Sequence, residues 1–525
     1  MLTILHQLVK SCESFGNKEA IVTTDKTLTF TNMLNEAIST AEVLSGLGIK
    51  KGDRVGICMN KTCDQVTAIL GVLFAEAIFV PVLPKLKKSG IEHIVRDCEM
   101  SALITDTGRL DEVADFSDQV SIMIGHFDDD RDLAVKTSKY PNLIDLRKFL
   151  PHQKPLLSVI SADTAAIIYS SGSTGRPKGI VISHRNLFDG ALIVSNYLNT
   201  LQTDRIAGVL SLNFDYGLNQ LWQTILTGAT LFLHEMVFPK DLINLITTQK
   251  ITALPLMPVF ISMLFDERFS HHKIEPVQHS LRYICSSGGR VSERMIQQLR
   301  NVFPGADIYL MYGLTEAFRS SYLPPDQIDV RPNSIGKSIP DVELFVMDDK
   351  YQLCQPGTPG ELVHRGGCIA KGYWNDPEKT AERFKQIPQF PGETLVFSGD
   401  LVKQDKDGFF YFISRKDSMI KTSGFRVSPT EIEDEANKHE KLTASVAFGI
   451  DNQDIGQEIV LVYTTTDGLP VNDKLFLQFL KELLPRYMVP HYLLHFPQFP
   501  TTGNQGKIDR VGVVSMAKEK LIANH

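Results

Sequence analysis

The sequence predicts an α/β protein with two unequal parts. A large N-terminal domain of helix-covered sheets carries a β-rich subdomain, and a small α+β C-terminal domain follows it. Apolar strand segments alternate with helical segments over the first 330 residues, which is typical of parallel sheet covered by helices. Short strands joined by Gly, Pro and Asp turns come next, and the last part of the chain again mixes helices with strands.

Length, charge and cysteine usage limit the class of protein. A chain of 525 residues is too long for one small core and predicts two or more domains. A net charge of -7 does not favour a nucleic-acid partner, which needs clustered Lys and Arg. The 7 cysteines are odd in number and form no CxxC pair, so we expect neither a disulfide scaffold nor a zinc site. A reducing compartment fits best.

The apolar segments predict no membrane attachment. The start, "MLTILHQLVKSCESFG", reads as a short amphipathic helix and lacks the basic start and unbroken apolar stretch of a signal peptide. The most apolar region, residues 68–82, is interrupted by Glu76 and Pro81 and falls short of the roughly 20 apolar residues of a membrane span. We therefore expect a cytoplasmic protein with no membrane span.

The N-terminal elements follow from local signals. Thr31 is expected to cap a helix that ends near Leu47, where Gly48 provides a stop. Residues 63–77 read as a second amphipathic or buried helix. Strands are expected at 54–58, 78–82, 102–106, 206–210, 229–233, 253–257 and 281–287.

The pattern changes after about residue 330. Short strands at 341–348, 360–366 and 408–415 predict the β-rich subdomain. The polar "SRKDS" is the natural boundary, which gives domains 1–415 and 416–525. The second is about a hundred residues long, a usual size for a small domain. Its expected helices are 430–438 and 472–483, and its expected strands are 444–450, 458–465 and 492–496.

The stretch "YSSGSTGRPKGI" (169–180) has the composition of a phosphate-binding loop. It fails the Gly-x-x-x-x-Gly-Lys-Ser/Thr pattern because two residues separate Gly175 from Lys178. Strand-like residues flank it on both sides, so we expect it to join two strands instead of opening a helix. Its glycines allow backbone N–H groups to face an anion, and its hydroxyls and lysine add donors. A flexible hairpin loop without a ligand is the alternative.

Three further stretches place polar groups near strand ends. "SSGGR" (286–290) is a second glycine turn. "YGLTEAF" puts Thr315 and Glu316 after an apolar strand, where a hydroxyl beside a carboxylate suits Mg²⁺ and phosphate. "FSGDL" puts Asp400 just past a strand, where its carboxylate can accept from ribose hydroxyls. Each of these alone is more often a solvated turn.

Taken together and in order, these stretches resemble the AMP-forming, adenylate-forming ligases. That family comprises acyl-CoA synthetases, firefly luciferases and the adenylation domains of nonribosomal peptide synthetases. The resemblance covers nearly the whole chain, and nine motifs in register are far more specific than one. Gln505 is a mild departure, since the family more often has Asn there. The motifs are "YSSGSTGRPKG", "SSGGR", "YGLTE", "GEL", "SGDL", "SRKD", "KTSGFRVSPTEIE", "LPRYMVP" and "GNQGKIDR".

The resemblance implies a role for each matching position. The loop would hold the β- and γ-phosphates of ATP, Thr315 and Glu316 would serve the α-phosphate and Mg²⁺, and Tyr312 would lie against the adenine. The implied phosphate-binding residues are Ser170, Ser171, Gly172, Ser173, Thr174, Gly175 and Lys178. The implied adenine and ribose residues are Ser287, Gly288, Gly289, Tyr312, Asp400 and Arg415.

The resemblance also makes the C-terminal domain a mobile lid that carries the catalytic Lys507. This lysine would bridge the substrate carboxylate and the α-phosphate, because two anions that approach each other need fixed positive charge. Composition alone would favour a surface lysine in a basic tail. In the second half-reaction the lid would rotate about Asp417 and bring Lys421 and Gly424 to the site, where a thiol displaces AMP.

The acid pocket is indicated by "SLNFDYGLNQL". Its "FD" resembles that of amino-acid-activating domains, where the Asp binds the α-ammonium, and an apolar pocket has no use for a carboxylate. The alternative is an Asp that faces solvent at a strand end. Arg319 could pair with a second carboxylate or polar head on the substrate, or with Asp215. By resemblance the pocket residues are Phe214, Asp215, Cys285, Met311 and Arg319.

The sequence leaves three functions open. The first is an amino-acid or carboxylic-acid ligase that uses ATP and Mg²⁺ and loads the phosphopantetheine of a free-standing carrier protein. No carrier domain follows Arg510, so a carrier would act in trans. The second is an acyl-CoA synthetase that uses free coenzyme A and a fatty or aryl acid. The third is a catalytically silent binding homologue, against which the intact Lys178, Glu316 and Lys507 argue.

Overall fold

The chain folds into mixed β-sheets with helices packed on them, which confirms the predicted α/β class. Hydrophobic side chains of the two larger sheets share a core that includes Ile57 and Leu231. The structure is a computed structural model. It describes residues 3–84, 86, 88–113, 116, 120, 122–126, 143–145, 157–171, 177–265, 275–416, 418–422, 425–452, 455–502 and 507–523.

The first sheet positions most of the predicted site. Its central strands are parallel, as the helix–strand alternation predicts, and both edges turn antiparallel. The carboxyl ends of its parallel strands meet at one edge, where ligands usually bind in α/β sheets. In spatial order the strands are β16 (Lys337–Ser338), β15 (Arg319–Leu323), β14 (Asp307–Gly313), β13 (Tyr283–Ser286), β12 (Ala253–Leu256), β10 (Arg205–Gly208), β11 (Thr230–Leu233), β1 (Glu19–Val22) and β2 (Thr27–Thr29).

The second sheet carries the predicted phosphate loop at one edge. Its strands are parallel except for the final hairpin, in which β8 and β9 pair antiparallel. In spatial order they are β7 (Leu143–Asp145), β6 (Ile122–His126), β5 (Ala102–Asp106), β3 (Arg54–Cys58), β4 (Ile78–Pro81), β8 (Thr164–Ser171) and β9 (Pro177–Ser183).

A third, antiparallel sheet forms the predicted β-rich subdomain. Asp400 lies inside β20 opposite Arg415 of β21, so the prediction that it lies just past a strand is wrong. The "SGD" signal reads as a turn, yet pairing with β21 continues the strand through it. The strands are β17 (Val342–Met347), β18 (Gly360–Gly366), β19 (Phe384–Lys385), β20 (Leu395–Gln404) and β21 (Phe410–Arg415).

The C-terminal part of the chain builds a sheet of its own. Its buried side chains, which include Val427, Leu461 and Phe476, form cores made of residues from 420 onward. A separate core is what an independent domain requires. The strands are β22 (Ile420–Thr422), β23 (Phe425–Val427), β24 (Leu442–Asn452), β25 (Gly456–Thr465) and β26 (Tyr492–His495), with a small hairpin of β27 (Thr501–Thr502) and β28 (Lys507–Ile508).

Helices cover these sheets close to the predicted positions. Thr29, not Thr31, caps α2: its hydroxyl accepts from the backbone N–H of Asn32 at 3.1 Å, because the fully buried Phe30 already starts the helix. Among the described residues, no helix combines the length and apolar character needed to cross a bilayer. The helices are α1 (Ile4–Phe15), α2 (Phe30–Gly46), α3 (Cys63–Phe74), α4 (Lys88–Asp97), α5 (Leu110–Val113), α6 (His184–Tyr197), α7 (Asp215–Thr227), α8 (Pro239–Thr248), α9 (Pro258–Leu264), α10 (Glu293–Val302), α11 (Pro377–Arg383), α12 (Pro429–Ala436), α13 (Asp473–Leu483) and α14 (Arg510–Ala523).

Candidate active site

The predicted phosphate loop connects the two strands of the β8–β9 hairpin. Ser170 pairs with Lys178 and Ser171 with Pro177, so the loop joins strands as predicted and does not open a helix. This geometry distinguishes it from a phosphate loop that leads into a helix. The side chain of Ser171 and the residues Gly172, Ser173, Thr174 and Gly175 lie outside the described part of the structure.

Lys178 lies near two further cations and the carboxylates of Asp376 and Glu316 at the loop end of this hairpin. Its Nζ lies 5.5 Å from the centre of the Tyr373 ring. Burial and repulsion from Lys379 and Arg383 lower the pKa of Lys178. An anion placed among these cations would relieve their mutual repulsion, which is the electrostatic requirement of a polyphosphate site.

Tyr373 links this lysine to Glu316. Its hydroxyl donates to Oε1 of Glu316 at 2.7 Å, and the backbone N–H of Ala370 donates to the Glu316 carbonyl at 2.8 Å. Thr315 and Glu316 lie in a short 3₁₀ turn, Thr315–Ala317, just after β14. The sequence analysis missed Tyr373, although "GYW" (372–374) follows the recognised "GEL" motif closely and offered a signal.

Glu316 fits a magnesium ion that is shared with a nucleotide. Mg²⁺ is usually held by one or two carboxylates together with substrate phosphates, and seldom by an all-protein cage. Within the described ranges no group of three or more His, Cys, Asp or Glu side chains could hold a metal by itself. A single half-buried carboxylate across Tyr373 from Lys178 matches the shared arrangement.

Three of the six predicted ribose and adenine residues, Tyr312, Asp400 and Arg415, form one hydrogen-bonded cluster. Oδ1 of Asp400 accepts from Nη1 of Arg415 at 2.7 Å, and Oδ2 accepts from the hydroxyl of Tyr312. Asp400 is 5% exposed. Burial, followed by the negative charge of Asp400, raises the pKa of Tyr312 well above its usual range. Tyr312 therefore stays protonated and donates to the carboxylate.

The glycine turn after β13 connects the nucleotide side to the acid side. Gly288 has φ +84°, a conformation that side chains rarely adopt, and a Cβ on Gly289 would lie 3.2 Å from Cγ of Pro258. Ser287 is buried, and its hydroxyl accepts from Nη1 of Arg319 at 3.0 Å. The structure thus joins a predicted adenine-border residue directly to a predicted acid-pocket residue.

Asp215 occupies the first turn of a helix instead of a strand end. Phe214 is the N-cap of α7, and Oδ1 of Asp215 accepts from the backbone N–H of Tyr216 at 2.7 Å. A carboxylate is favourable at a helix N-terminus because it interacts with the helix dipole. Asp215 and Arg319 form no ion pair with each other, so the alternative in which they neutralise each other does not occur in the described structure.

Tyr216 and Tyr197 complete the acid pocket and were missed from the sequence. The Tyr216 hydroxyl donates to the carbonyl of Cys285 at 3.0 Å, and the Tyr197 hydroxyl donates to Sδ of Met311 at 2.9 Å. Burial raises the pKa of Cys285 to about 11, so its thiol stays neutral. An aromatic residue on a buried helix face normally indicates core, which is why neither tyrosine was predicted.

The predicted lid residues lie in different elements of the C-terminal part, one in its main sheet and one in the small hairpin. Lys421 is in β22 and Lys507 is in β28, but their side chains are not described, and Asp417 and Gly424 lie outside the described residues. Their roles stay predictions. The lid does contact the large domain near the glycine turn. Arg290 forms an ion pair with Asp434 of α12, and Nη1 of Arg294 donates to the carbonyl of Glu440 at 3.1 Å.

Comparison with known proteins identifies the family of the chain. A family profile described as "AMP-binding enzyme" matches residues 8–374. Tyrocidine synthase 1 of Brevibacillus parabrevis is 28% identical over 518 residues, which cover 96% of this chain but 44% of that protein. The chain therefore spans less than half the length of this curated relative.

Two solved structures share the fold across almost the whole chain. ATP-bound MatB from Rhodopseudomonas palustris superposes with a TM-score of 0.85 at 22% identity, covering 98% of this chain and 99% of that one. The anthranilate CoA ligase AuaEII in complex with anthranoyl-AMP also gives a TM-score of 0.85, at 24% identity, covering 98% and 97%. Since the family profile spans well over half of the sequence, the chain belongs to the AMP-binding enzyme family, as its motifs predicted.

Proposed function

We propose that the chain activates a carboxylic acid with ATP to form an acyl-adenylate and pyrophosphate. The observation that carries this proposal is the convergence of the predicted nucleotide residues. Tyr312, Asp400 and Arg415 form one hydrogen-bonded cluster. Glu316 lies in the 3₁₀ turn that closely follows β14, the strand that carries Tyr312. Family membership supports the same reaction.

The chemistry follows from the charges at the site. A carboxylate oxygen of the acid attacks the α-phosphorus, the bond from that phosphorus to the bridging oxygen breaks, and pyrophosphate leaves with the electron pair. Lys178 would hold the departing phosphates and Lys507 would lie between the two reacting anions. A Mg²⁺ ion on Glu316 would supply further positive charge to the phosphate oxygens.

The proposed acceptor is the thiol of phosphopantetheine on a separate carrier protein. Its sulfur attacks the acyl carbon, AMP leaves, and a thioester forms. Residues 1–415 would bind ATP and the acid, while residues 416–525 would rotate about Asp417 and exchange Lys507 for Lys421. All 7 cysteines are free, which supports a reducing, cytoplasmic location. Free coenzyme A is the alternative acceptor.

An amino acid is the proposed substrate class, with its α-ammonium on Asp215. Buried amide side chains support a polar substrate over a fatty acid: Asn219, Gln220 and Gln223 line a small cavity beside Cys285 and Met311. Gln220 and Gln223 already donate to Tyr216 and Asn219, but Nδ2 of Asn219 is buried without a partner and an aliphatic chain would leave it so.

Acid-dependent exchange of labelled pyrophosphate into ATP tests the first step. We expect exchange with at least one acid in a panel of amino, short aliphatic, aryl and fatty acids. Exchange in none of them by a folded protein that binds ATP would contradict the function and support a silent homologue. Mass spectrometry of acyl transfer to a phosphopantetheinylated carrier or to coenzyme A then identifies the acceptor.

A further inference from the structure

Arg319 is a buried cation with an unused hydrogen-bonding edge. It begins β15, is 3% exposed, and donates from Nη1 to Ser287 at 3.0 Å. Its Nε and Nη2 atoms are buried and have no hydrogen-bond partner. These two nitrogens lie on the same edge of the planar guanidinium, where their N–H groups point in parallel. That edge is the one that binds both oxygens of a carboxylate.

The side chains around Arg319 include aromatic rings but, in the part of the chain that the structure describes, no carboxylate that neutralises its positive charge. The guanidinium carbon lies 4.2 Å from the centre of the Tyr216 ring and 5.5 Å from that of Phe318, so aromatic faces supply part of the compensation. Within the described ranges, no carboxylate forms an ion pair with it, and Asp215 bonds to its own helix instead. An arginine cannot discharge itself by losing a proton. A buried charge of this kind needs a counter-ion from elsewhere.

The position of Arg319 places that counter-ion in the acid pocket. Ser287, its hydrogen-bond partner, begins the glycine turn, and Tyr216, its stacking partner, contacts Cys285. The adjoining cavity has a volume of about 10 Å³, which is room for about one water molecule. Arg319 does not line this cavity, but Tyr216 lies against both, so the unused edge of Arg319 belongs to the same region as the predicted acid-pocket residue Cys285.

We propose that Arg319 binds a second anionic group of the acid substrate. The substrate class is then a short acid that carries two carboxylates, of which one is adenylated and the other is held by Nε and Nη2. Both acidic amino acids and plain dicarboxylic acids supply this chemistry. The inference rests on the proposed acid-activating function and specifies its substrate.

Matched pairs of acids in the pyrophosphate exchange assay test the inference. The pairs are glutamate with glutamine, aspartate with asparagine, and succinate with butyrate; the last pair lacks the α-amino group and so distinguishes the two sources. We expect kcat/KM to be at least about tenfold higher for the doubly acidic member of a pair, because hydrogen bonds to charged groups are worth that much. Preference for the neutral member in every active pair would overturn the inference.

The Arg319→Met variant removes the charge and keeps an unbranched side chain. We expect it to lower kcat/KM for the doubly acidic substrate about 100-fold and to change that for its neutral partner less than about threefold. The KM for ATP should change much less than kcat/KM for the doubly acidic substrate, since in the described structure Arg319 reaches the nucleotide side only through Ser287. An unchanged preference would overturn the inference while leaving the adenylation function intact. If the wild-type enzyme binds ATP but shows no exchange with any acid, both the inference and the adenylation function are overturned.

Arg331→Met is a matched control outside the pocket. Arg331 also stacks on an aromatic ring, with its guanidinium carbon 4.2 Å from the centre of Phe409, but it pairs with Asp405 and Asp407. Its loss should lower the melting temperature without changing substrate preference. If Arg319→Met does not fold, the substrate preferences of the wild-type enzyme and of Arg319→Lys test the inference instead. Lysine keeps the positive charge but cannot bind a carboxylate in a bidentate manner.

Discussion

The nucleotide side and the acid side of the site differ in how their charges are paired. On the nucleotide side, Asp400 is bonded to Arg415 and Tyr312, and Glu316 accepts from Tyr373. On the acid side, Arg319 keeps two buried N–H groups without partners. A ribose-binding cluster for a constant ligand can be assembled from groups that satisfy one another, even though Lys178 on the same side keeps a repulsion from Lys379 and Arg383. A pocket that selects among acids can keep one unpaired cation, which only an acid with a second anionic group neutralises.

The largest expected effect comes from breaking the nucleotide cluster. Asp400→Ala removes the proposed acceptor for the ribose and leaves Arg415 and Tyr312 without their common partner. We expect kcat/KM for ATP in the exchange assay to fall about 100- to 1,000-fold, since hydrogen bonds to charged groups contribute about 1.5–3 kcal/mol each. The KM for the acid should change less than about threefold. A comparable rise in the KM for the acid would show that the two sides are not independent.

A smaller effect is expected on the acid side from Asp215→Asn. This change keeps an oxygen for the Tyr216 N–H but removes the charge proposed to bind an ammonium. The KM for an amino acid should rise about 10- to 30-fold, in line with the loss of a charged hydrogen bond. The KM for the corresponding acid without an amino group, measured in parallel, should not change. Equal effects on both acids would indicate that Asp215 only stabilises the N-terminus of α7 and binds no substrate ammonium.

Tyr373→Phe tests whether the nucleotide side depends on its internal hydrogen bonds. The change removes the donor to Glu316 and leaves the ring beside Lys178. We expect about a tenfold lower rate and a higher Mg²⁺ requirement, since one hydrogen bond contributes about 0.5–1.5 kcal/mol. Tyr411→Phe is the matched control, because its hydroxyl donates to Asp405 away from the site. An identical Mg²⁺ dependence in both variants would show that the Tyr373 hydroxyl does not support Mg²⁺ binding at Glu316.

The smallest effect on activity is expected from a substitution of His364. Like Arg319, this residue is buried with nitrogen atoms that have no hydrogen-bond partner, but it can lose its charge. His364 is fully buried against Tyr312, and neither ring nitrogen has a partner. Burial lowers its pKa to about 3, so this residue, unlike arginine, escapes the cost of a buried charge by staying neutral. Unfolding lets it take up a proton below its ordinary pKa of 6.5, so stability is present above pH 6.5 and is lost as the pH falls towards 3.

Thermal melts across this pH range measure the effect. His364→Leu should flatten the fall of the free energy of unfolding between pH 6.5 and 4, where each pH unit is worth up to about 1.4 kcal/mol for one group. Activity at pH 7.5 should be almost unchanged. An equally steep fall in the variant would assign the acid sensitivity to other groups, such as His184, whose pKa burial lowers to about 4.

The local parts of the fold were predictable and the tertiary parts were not. Strand segments such as 54–58 are fixed by apolar runs between turn residues, and the structure has β3 at Arg54–Cys58. The hairpin at the phosphate loop followed from apolar flanks on both sides. Asp400 was misplaced because a local "SGD" signal indicates a turn, while the pairing partner that extends the strand lies 15 residues away.

The site was predictable where a motif carries the residue. Asp400, Arg415 and Tyr312 were named from motifs and do come together. Tyr373 and Tyr216 were missed because their partners, Glu316 and Cys285, lie 57 and 69 residues away in the sequence. Whether Arg319 pairs with Asp215 was also undecidable, since it depends on which way the first turn of α7 faces.

The ion pair between Arg290 and Asp434 has a consequence for how the enzyme would turn over. Its side chains are 43% and 29% exposed, and such surface pairs typically contribute about 0–1 kcal/mol. Arg290 directly follows the glycine turn beside the proposed nucleotide site. Such a pair would favour the observed position of the C-terminal domain only slightly, and it would open readily in the proposed rotation of that domain. Because salt screens the pair, the rate of the proposed domain rotation should rise with ionic strength, in addition to the salt dependence expected of ATP binding at the cationic phosphate site.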